Sequence, residues 1–486
     1  MTLVVLGLYL MAVLAVGFMS NRAFRGTGED YFLATRSIGP FVLLMSIFGT
    51  HMTAFSLLGA SGEAYRRGTG VFGLMASAAA IVVPLMIFFV GTRLWALGKH
   101  LGVTTQAQLF RARWQSDGFG LLLFVVIVLL VLPYLLIGVM GGGVTLSRIT
   151  GGEVPSWVGG LLISMVVLFY VTFGGLRGTA WVNTFQTLVF MVLGTVTVVY
   201  IVGQLGGLGP ALERVATERP DLMVRGEAIP PLYFFCYLLI PMSVGMFPHM
   251  FQHWLSAKSA ESFKLPMLAY PVCIAIVWTP SVLLGTFGHI DFPGLEGPAA
   301  SSVLIRMIDL HAPDILAGLL GAGVFAAVMS SLDSQTLALG TMFTQDIVRH
   351  YGFDDQMDEK RQVLVGRLFI IGILTTTYLI SLVAEATIFG LAVWSFTGFT
   401  GLLPVVLAAL FWRRSTKVGA YASVLVTATL WIYFFSIGFN VTGYSAFGTG
   451  LPPVAVIFPA SALAMVVGSL LSEPPDSEVL EKFFAS

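Results

Sequence analysis

The sequence predicts an all-α protein that crosses a membrane many times, and two observations lead to that prediction. Of its 486 residues, 57% are hydrophobic and only 10% are charged. Uninterrupted apolar runs recur along the chain, and about 20 such residues are enough for a helix to span the hydrocarbon of a bilayer. Because a helix satisfies its own backbone hydrogen bonds, it is the element expected at that depth.

Thirteen candidate spans follow one another along the chain. The first run has no basic segment ahead of it and no small-residue cleavage site, so we interpret it as a retained helix rather than a signal peptide. The connections between spans are too short for an independent domain, and we expect residues 1–486 to form a single membrane domain. The predicted spans lie near residues 2–20, 38–63, 70–97, 118–147, 156–174, 182–205, 231–252, 265–288, 312–344, 364–383, 387–411, 418–438 and 451–471.

The second and seventh spans are interrupted near their middles. Gly, Thr and His break the apolar run at residues 46–56, and Pro241, Gly245 and Pro248 break the run of the seventh span. A proline removes a backbone hydrogen bond, and the freed carbonyls are tolerated only where they face protein, water or an ion. Two interruptions five spans apart are typical of transporters built from inverted repeats, with a binding site near the middle of the membrane.

Residues 326–334, in the ninth span, place three serines and one aspartate in an otherwise apolar run. On a helix, Ser330, Asp333 and Ser334 share one face, with the backbone carbonyl of Ala327 one turn below. Hard cations prefer oxygen ligands, and ionisable groups inside a membrane are costly enough to be functional as a rule. The pattern therefore predicts a cation site, with a polar contact between helices as the alternative.

Several classes of function are excluded or disfavoured by composition. The formal net charge is zero, and no basic patch indicates a nucleic-acid partner. Cys236 and Cys273 lack metal-ligand spacing and are expected to be buried thiols. No phosphate-binding loop of Walker type is present, so we predict that the chain is not an enzyme and that any uphill transport draws on an ion gradient.

The distribution of Lys and Arg predicts the orientation in the membrane. With the C-terminus in the cytoplasm, most of the 25 Lys and Arg residues, Arg22 and Arg25 among them, fall on the cytoplasmic side. We therefore expect the N-terminus outside. Two basic residues beside the second span, Arg66 and Arg67, are exceptions to this distribution, and Glu63 is an acidic partner that would account for them. The basic residues left on the outer side are Arg66, Arg67, Arg148, Arg214, Arg219, Arg225 and Arg306.

Four motifs in register resemble those of the sodium/solute symporter family, which includes the proline and pantothenate permeases and the sodium–glucose transporters. They are DYFLATRS at 30–37, GGLR at 174–177 followed by Asn183 and Gln186, AVMSSLDS at 327–334, and PV at 404–405 leading to FWRR at 411–414. The resemblance implies a multi-pass protein of the cell membrane. It would import a small organic solute together with sodium by alternating access.

The same resemblance implies the domain plan, a five-plus-five inverted-repeat core of the leucine-transporter type. One extra helix precedes the core and two follow it. The expected ranges are the extra N-terminal helix at 2–20, the first repeat at 38–205, the second repeat at 231–411 and the C-terminal helices at 418–471.

Carried over to this chain, the main sodium site of the family falls at the break in the second span. Its ligands would be the backbone carbonyls of Gly49, Met52 and Ala327 and the hydroxyls of Ser330 and Ser331. This agrees with the residue-based prediction, in which an unwound segment offers free carbonyls to a hydroxyl-bearing helix. Sodium is the coupling ion that this site predicts, and no other cofactor is expected.

A second cation site is predicted one turn along the ninth span. Some family members with two sodium ions use an Asp in the fifth core helix, where this chain has Asn183. Here a carboxylate, Asp333, instead occupies one of the hydroxyl positions beyond Ser330, next to Ser334. The negative charge therefore lies on the ninth span here instead of on the fifth core helix, which predicts a site of the same formal charge. The alternative is that Asp333 only holds the helices together.

The solute is expected beside the same break. Resemblance to the proline permease implies four of the contact residues, and the polar residues at the two breaks add four more. Family members often carry Asp or Asn at the position of His51. The predicted contacts are Phe55, Tyr134, Ile240 and Val244 by resemblance, and His51, Thr53, Ser56 and His249 from the breaks.

A small carboxylate, an amino acid or a related zwitterion fits this set best, because His51, the hydroxyls and a half-helix N-terminus can receive a carboxylate. A sugar is disfavoured, since the amides that bind it in the galactose transporter are missing at His51 and Ser56. A proton-coupled transporter and a sodium-linked channel of the same fold stay open as alternatives, with Asp333 and the histidines relaying protons. The expected partners are sodium, the solute and the lipid bilayer, with no nucleic acid and no obligate protein partner.

Overall fold

The computed structural model describes residues 1–21, 28–352, 358–439, 441 and 443–484. Within these ranges the predicted helical class is confirmed, and the only β-type pairing is an isolated bridge between Ile38 and Ala257. Arg22 and Arg25, which contributed to the predicted orientation, lie outside the described residues.

The apolar helices are numbered here in chain order. They are α1 (Thr2–Met19), α2 (Pro40–His51 and Phe55–Arg67), α3 (Phe72–Leu101), α4 (Asp117–Ile149), α5 (Ser156–Thr172), α6 (Gly174–Gln204), α7 (Pro231–Gly245 and Pro248–Leu255), α8 (Ala260–Asp291), α9 (Asp314–Arg349), α10 (Lys360–Ser381), α11 (Ile388–Phe411), α12 (Lys417–Gly438) and α13 (Val454–Leu470). Shorter helices flank or connect them at Gly28–Leu33, Gln106–Trp114, Leu208–Glu218, Val303–His311 and Ser477–Phe484.

In the described part of the chain, nine of these helices are long and apolar enough to cross a membrane, or up to 11 if each bent pair, α2 and α7, counts as one span. Helices α5 and α13 coincide with the fifth and last predicted spans but are shorter, and α13 has 17 residues. The prediction of thirteen spans is therefore confirmed for at most eleven and stays a prediction for these two.

Both predicted breaks are confirmed. The halves of α2 are bent by 57° and those of α7 by 51°. In α7, Pro248 begins the second half, since a residue without an N–H can start a helix but cannot continue one. In α2 the cause is a cap inside the span: Thr53 Oγ1 accepts a hydrogen bond from the Phe55 N–H at 2.9 Å, as an N-cap side chain does.

Helix α9 lies at the centre of the protein. Every residue from Leu320 to Met342 is buried, and the helix packs against α1, α2, α4, α5, α6, α7 and α10. A helix that is apolar nearly all round belongs in such a position. Its few polar side chains are consequently surrounded by protein on every side.

Two of the sequence motifs meet where α5 turns into α6. Gly175 has a φ of 54°, and a Cβ at this position would lie 2.7 Å from the carbonyl oxygen of Tyr31. Two residues on, an Arg177 guanidinium nitrogen lies 2.7 Å from a carboxylate oxygen of Asp30, which is fully buried. The GGLR motif therefore makes a tight turn and anchors the DYFLATRS segment.

We expect Gly175→Ala to destabilise the protein, because an L-residue with positive φ is strained by about 1–3 kcal/mol even before the contact with Tyr31 is counted. Gly194→Ala, on the same helix, is the matched control, since nothing lies within 4 Å of its added Cβ. Thermal unfolding of the purified variants in detergent checks this. Equal midpoints for the two variants would contradict the turn.

Candidate functional site

The break in α2 and the middle of α9 meet at Ser330. Its hydroxyl oxygen lies 2.8 Å from the carbonyl oxygen of Gly49 and 3.1 Å from that of Ala327. A hydroxyl has one proton and can donate to only one of these carbonyls at a time. Three of the five predicted sodium ligands are thus brought together, and they place more oxygen acceptors at one point than there are protons to satisfy them.

The other two predicted sodium ligands, Met52 and Ser331, lie on the same two helices, and each differs in what its oxygen bonds to. Met52 has extended backbone angles, and the Ser56 N–H bonds to the carbonyl of Thr53 at 3.0 Å rather than to that of Met52. The break therefore frees the Met52 carbonyl from the helical ladder. The Ser331 hydroxyl donates to the carbonyl of Val328, within its own helix, at 3.1 Å.

The second predicted cation site is assembled around Asp333, whose side chain is fully buried. Ser334 donates to one carboxylate oxygen at 3.0 Å, and the Tyr170 hydroxyl donates to the other at 2.9 Å. Asn183 donates to the Ser334 hydroxyl at 2.8 Å. Among the described residues, no Lys, Arg or His forms an ion pair with Asp333, so its charge has no protein counter-ion there.

His253 joins this cluster to the first half of α2, and the sequence analysis missed it. One ring nitrogen lies 3.1 Å from the Ser46 hydroxyl and the other lies 3.3 Å from that of Ser334. The ring is buried in the second half of α7. Its spacing of four from His249, on the same helix face, was the signal that could have identified it.

Three of the predicted solute contacts, His51, Phe55 and Ile240, line a small inner cavity beside the break. Trp278 from α8 and Phe396 from α11 complete its apolar wall, and neither was predicted. The cavity volume of about 20 Å³ leaves room for about one water molecule. The helices must therefore separate before a solute can enter.

Three further predicted contacts, Tyr134, Val244 and His249, are buried beside this cavity. The rings of Tyr134 and His249 are 5.8 Å apart. Within the described residues, neither the Tyr134 hydroxyl nor either His249 nitrogen has a hydrogen-bond partner. A buried unpaired polar atom costs about 1–3 kcal/mol, so these atoms are well placed to gain from a ligand.

Thr53 and Ser56 bond to the backbone of the break. Besides the Thr53 cap, the Ser56 hydroxyl donates to the carbonyl of Thr53 at 2.8 Å. Both side chains are buried. In this structure they hold the local shape of α2.

A larger cavity of about 460 Å³ opens at the Glu63 end of the bundle. Glu63 is fully buried and pairs with both Arg66 and Arg67, which confirms the acid predicted to account for these arginines. The rings of Phe389, which lines the cavity, and Phe55 stack at 5.8 Å. This ring pair separates the larger cavity from the inner one.

The opposite end, near Arg36, is closed by hydrogen bonds. The Arg36 guanidinium donates to the carbonyls of Val103 and Gly98 at 3.0 and 3.2 Å. Gln252, in the second half of α7, donates to the carbonyl of Phe32 at 2.7 Å and to the Thr341 hydroxyl of α9 at 2.9 Å. The structure is therefore accessible towards Glu63 and sealed towards Arg36.

The chain is similar to known proteins over most of its length. A family model described as the sodium:solute symporter family matches residues 31–427. The osmoregulated proline transporter of Bacillus subtilis (strain 168) is 25% identical, over 97% of this chain and 94% of that protein. The sodium/pantothenate symporter of Escherichia coli (strain K12) is 24% identical, over 95% of this chain and 94% of that protein.

Among solved structures, a Na⁺-coupled sialic acid symporter in a substrate-bound, outward-open state has a similar fold. The TM-score is 0.80 at 18% sequence identity, covering 98% of this chain and 98% of that chain. A transporter of the nucleobase-cation-symport-1 family aligns with a TM-score of 0.57 at 15% identity, over 94% of this chain and 96% of that chain. These similarities establish the fold. The substrate has to be inferred from the residues of this chain.

Proposed function

The chain belongs to the sodium:solute symporter family, and we propose that it imports a small carboxylate, amino acid or related zwitterion together with sodium. Like its relatives, it is a membrane transporter and not an enzyme. The observation that carries the proposal is the convergence of the Ser330 hydroxyl with the carbonyls of Gly49 and Ala327.

Sodium would bind at this convergence. The carbonyls of Gly49 and Ala327 and the Ser330 hydroxyl supply three oxygens, and the freed Met52 carbonyl supplies a fourth. Rotation of the Ser331 side chain about χ1 turns its hydroxyl from Val328 towards the ion as a fifth. An oxygen set of this kind suits a hard cation, and it draws on both α2 and α9.

The shared site explains coupling. An ion that needs ligands from two helices binds best in the conformation where those helices meet, so it shifts the population towards that conformation. The inner cavity lies directly beside the break that supplies Gly49 and Met52. Ordering of the break by sodium would therefore also shape the solute pocket.

Asp333, Asn183 and Ser334 form the second proposed cation site. Both carboxylate oxygens of Asp333 accept hydrogen bonds, an arrangement that suits the ionised form. An ionised carboxylate in a fully buried place requires a positive partner. A sodium ion bound there would supply it. The side-chain amide oxygen of Asn183, which has no hydrogen-bond partner among the described residues, would be a further ligand.

The proposed domain plan follows from the two broken helices. Residues 38–205 and 231–411 would be the inverted repeats, because each begins with a bent helix, α2 and α7. Residues 2–20 would be the extra N-terminal helix and residues 418–471 the C-terminal pair. With the N-terminus outside, the Glu63 cavity faces the exterior and the Arg36 end faces the cytoplasm.

Removing the Ser330 hydroxyl tests the first sodium site. We expect Ser330→Ala to raise the sodium concentration for half-maximal uptake roughly tenfold to a hundredfold, because a ligand to a charged group is lost. Ser331→Ala should act in the same direction. Uptake into proteoliposomes at a series of sodium concentrations measures both.

The matched control is Thr336→Ala, which removes a hydroxyl of the same helix that bonds to the carbonyls of Leu332 and Asp333 at 2.9 Å. Its sodium dependence should stay that of the wild type. Unchanged sodium dependence in both serine variants would rule out the site.

For the second ion, we expect sodium activation of the wild type to be cooperative and Asp333→Asn to lose that cooperativity, because the amide cannot balance a second cation. The number of sodium ions carried per solute should fall by one. Parallel fluxes of labelled sodium and solute give this ratio. A Hill coefficient near one in the wild type, with the same ratio in the variant, would leave Asp333 a structural residue.

A further inference from the structure

His51, the last residue of the first half of α2, is held by a tyrosine from α8. Its Nδ1 atom forms a hydrogen bond with the hydroxyl of Tyr270, and the side chain of Tyr270 is completely buried. Among the described residues, His51 is the only hydrogen-bond partner of that hydroxyl. This one contact therefore decides where both groups keep their protons.

The arrangement of protons follows from hydrogen-bond satisfaction. If His51 carried its proton on Nδ1 and donated it, the buried Tyr270 hydroxyl would keep a proton with no acceptor, which is unfavourable. If Tyr270 donates instead, its proton is satisfied and Nδ1 is the acceptor. A neutral imidazole then carries its own proton on Nε2. The ring nitrogen of His51 that remains for a ligand, Nε2, is therefore a hydrogen-bond donor.

The other side chains that line the inner cavity are apolar or can donate a hydrogen bond. Its wall includes the rings of Phe55, Trp278 and Phe396 and the side chain of Tyr237, whose buried hydroxyl has no partner among the described residues. No acidic side chain of the described chain lines this cavity. An acceptor group would find two donors there, whereas an ammonium group would find no carboxylate to pair with.

We propose that the transported solute is a small monocarboxylate without an amino group, bound by the Nε2–H of His51 and the hydroxyl of Tyr237. The negative charge would be balanced by the sodium ion proposed at the Gly49 carbonyl, two residues before His51. Tyr270 is then a positioning residue that fixes the histidine tautomer. This assignment rests on the proposed function. Of the carboxylate, amino acid and zwitterion proposed there, it keeps the carboxylate.

Matched pairs of acids test the substrate class in the purified, full-length protein. Each pair consists of a carboxylic acid and its amino counterpart: acetate and glycine, propionate and alanine, and cyclopentanecarboxylate and proline. Thermal stabilisation reports binding, because a ligand that binds only the folded state stabilises it by RT ln(1 + [L]/Kd), so at one ligand concentration the tighter ligand gives the higher midpoint. In sodium, at least one acid should bind about tenfold more tightly than its amino partner, and in potassium neither should bind.

The possible results are distinct. Equal or tighter binding of the amino acid in every responsive pair would overturn the proposal. Stabilisation by sodium, with no response to any of the three acids, would overturn the solute assignment and leave sodium coupling intact. No response to sodium or to any acid would overturn both the assignment and the proposed function.

Variants of the pair test the tautomer. Tyr270→Phe should weaken binding of the responsive acid about two- to tenfold, without altering stabilisation by sodium alone. His51→Gln places an amide donor near the position of Nε2 and should retain acid binding. Because that donor no longer depends on a tautomer, adding Tyr270→Phe to His51→Gln should cause no further loss.

Two outcomes would contradict the positioning role of Tyr270. One is acid binding by Tyr270→Phe that equals the wild type. The other is a full loss from Tyr270→Phe in the His51→Gln background, which would indicate that the tyrosine acts through packing. Sodium stabilisation of each variant serves as the check that its fold and ion site are intact.

Discussion

The interruption of α2 inside the membrane is the constraint on which the rest of the site depends. An unwound segment at that depth has carbonyls without helical partners, and they must be satisfied by protein or by an ion. Ser330 reaches the carbonyl of Gly49 at 2.8 Å from the facing helix. The same glycine allows α6 to approach α2 closely, because a Cβ at Gly49 would lie 2.1 Å from the Thr187 hydroxyl oxygen of α6.

Two fully buried carboxylates show how the environment separates structural from functional charge. Glu63 pairs with two arginines at the larger cavity, so its charge is balanced within the protein. Within the part of the chain that the structure describes, the side chains that donate to the carboxylate of Asp333 are neutral, those of Tyr170 and Ser334. The charge of Glu63 is thus balanced without a ligand, and in our proposal a cation balances that of Asp333.

Much of this arrangement could be predicted from local sequence patterns. Prolines revealed the break in α7, an interrupted apolar run revealed the break in α2, and helical spacing placed Ser330, Asp333 and Ser334 on one face. Two of the missed residues, Tyr170 and Tyr270, are polar side chains in apolar spans. Their roles come from contacts across 163 and 219 positions of sequence, which no local pattern encodes. Thr53 and Ser56 show the opposite case. They were predicted as solute contacts because they are polar residues at the break, but in the structure their side chains bond to the backbone of the break itself.

The central claim is that sodium joins the break of α2 to the middle of α9. Hydrogen exchange of the backbone amides in residues 49–56 and 327–334, followed as sodium replaces potassium, tests it most directly. The account predicts that sodium slows exchange in both segments over the same concentration range in the wild type, and in neither segment at those concentrations in Ser330→Ala. Protection of one segment alone, or equal protection in the variant, would contradict it.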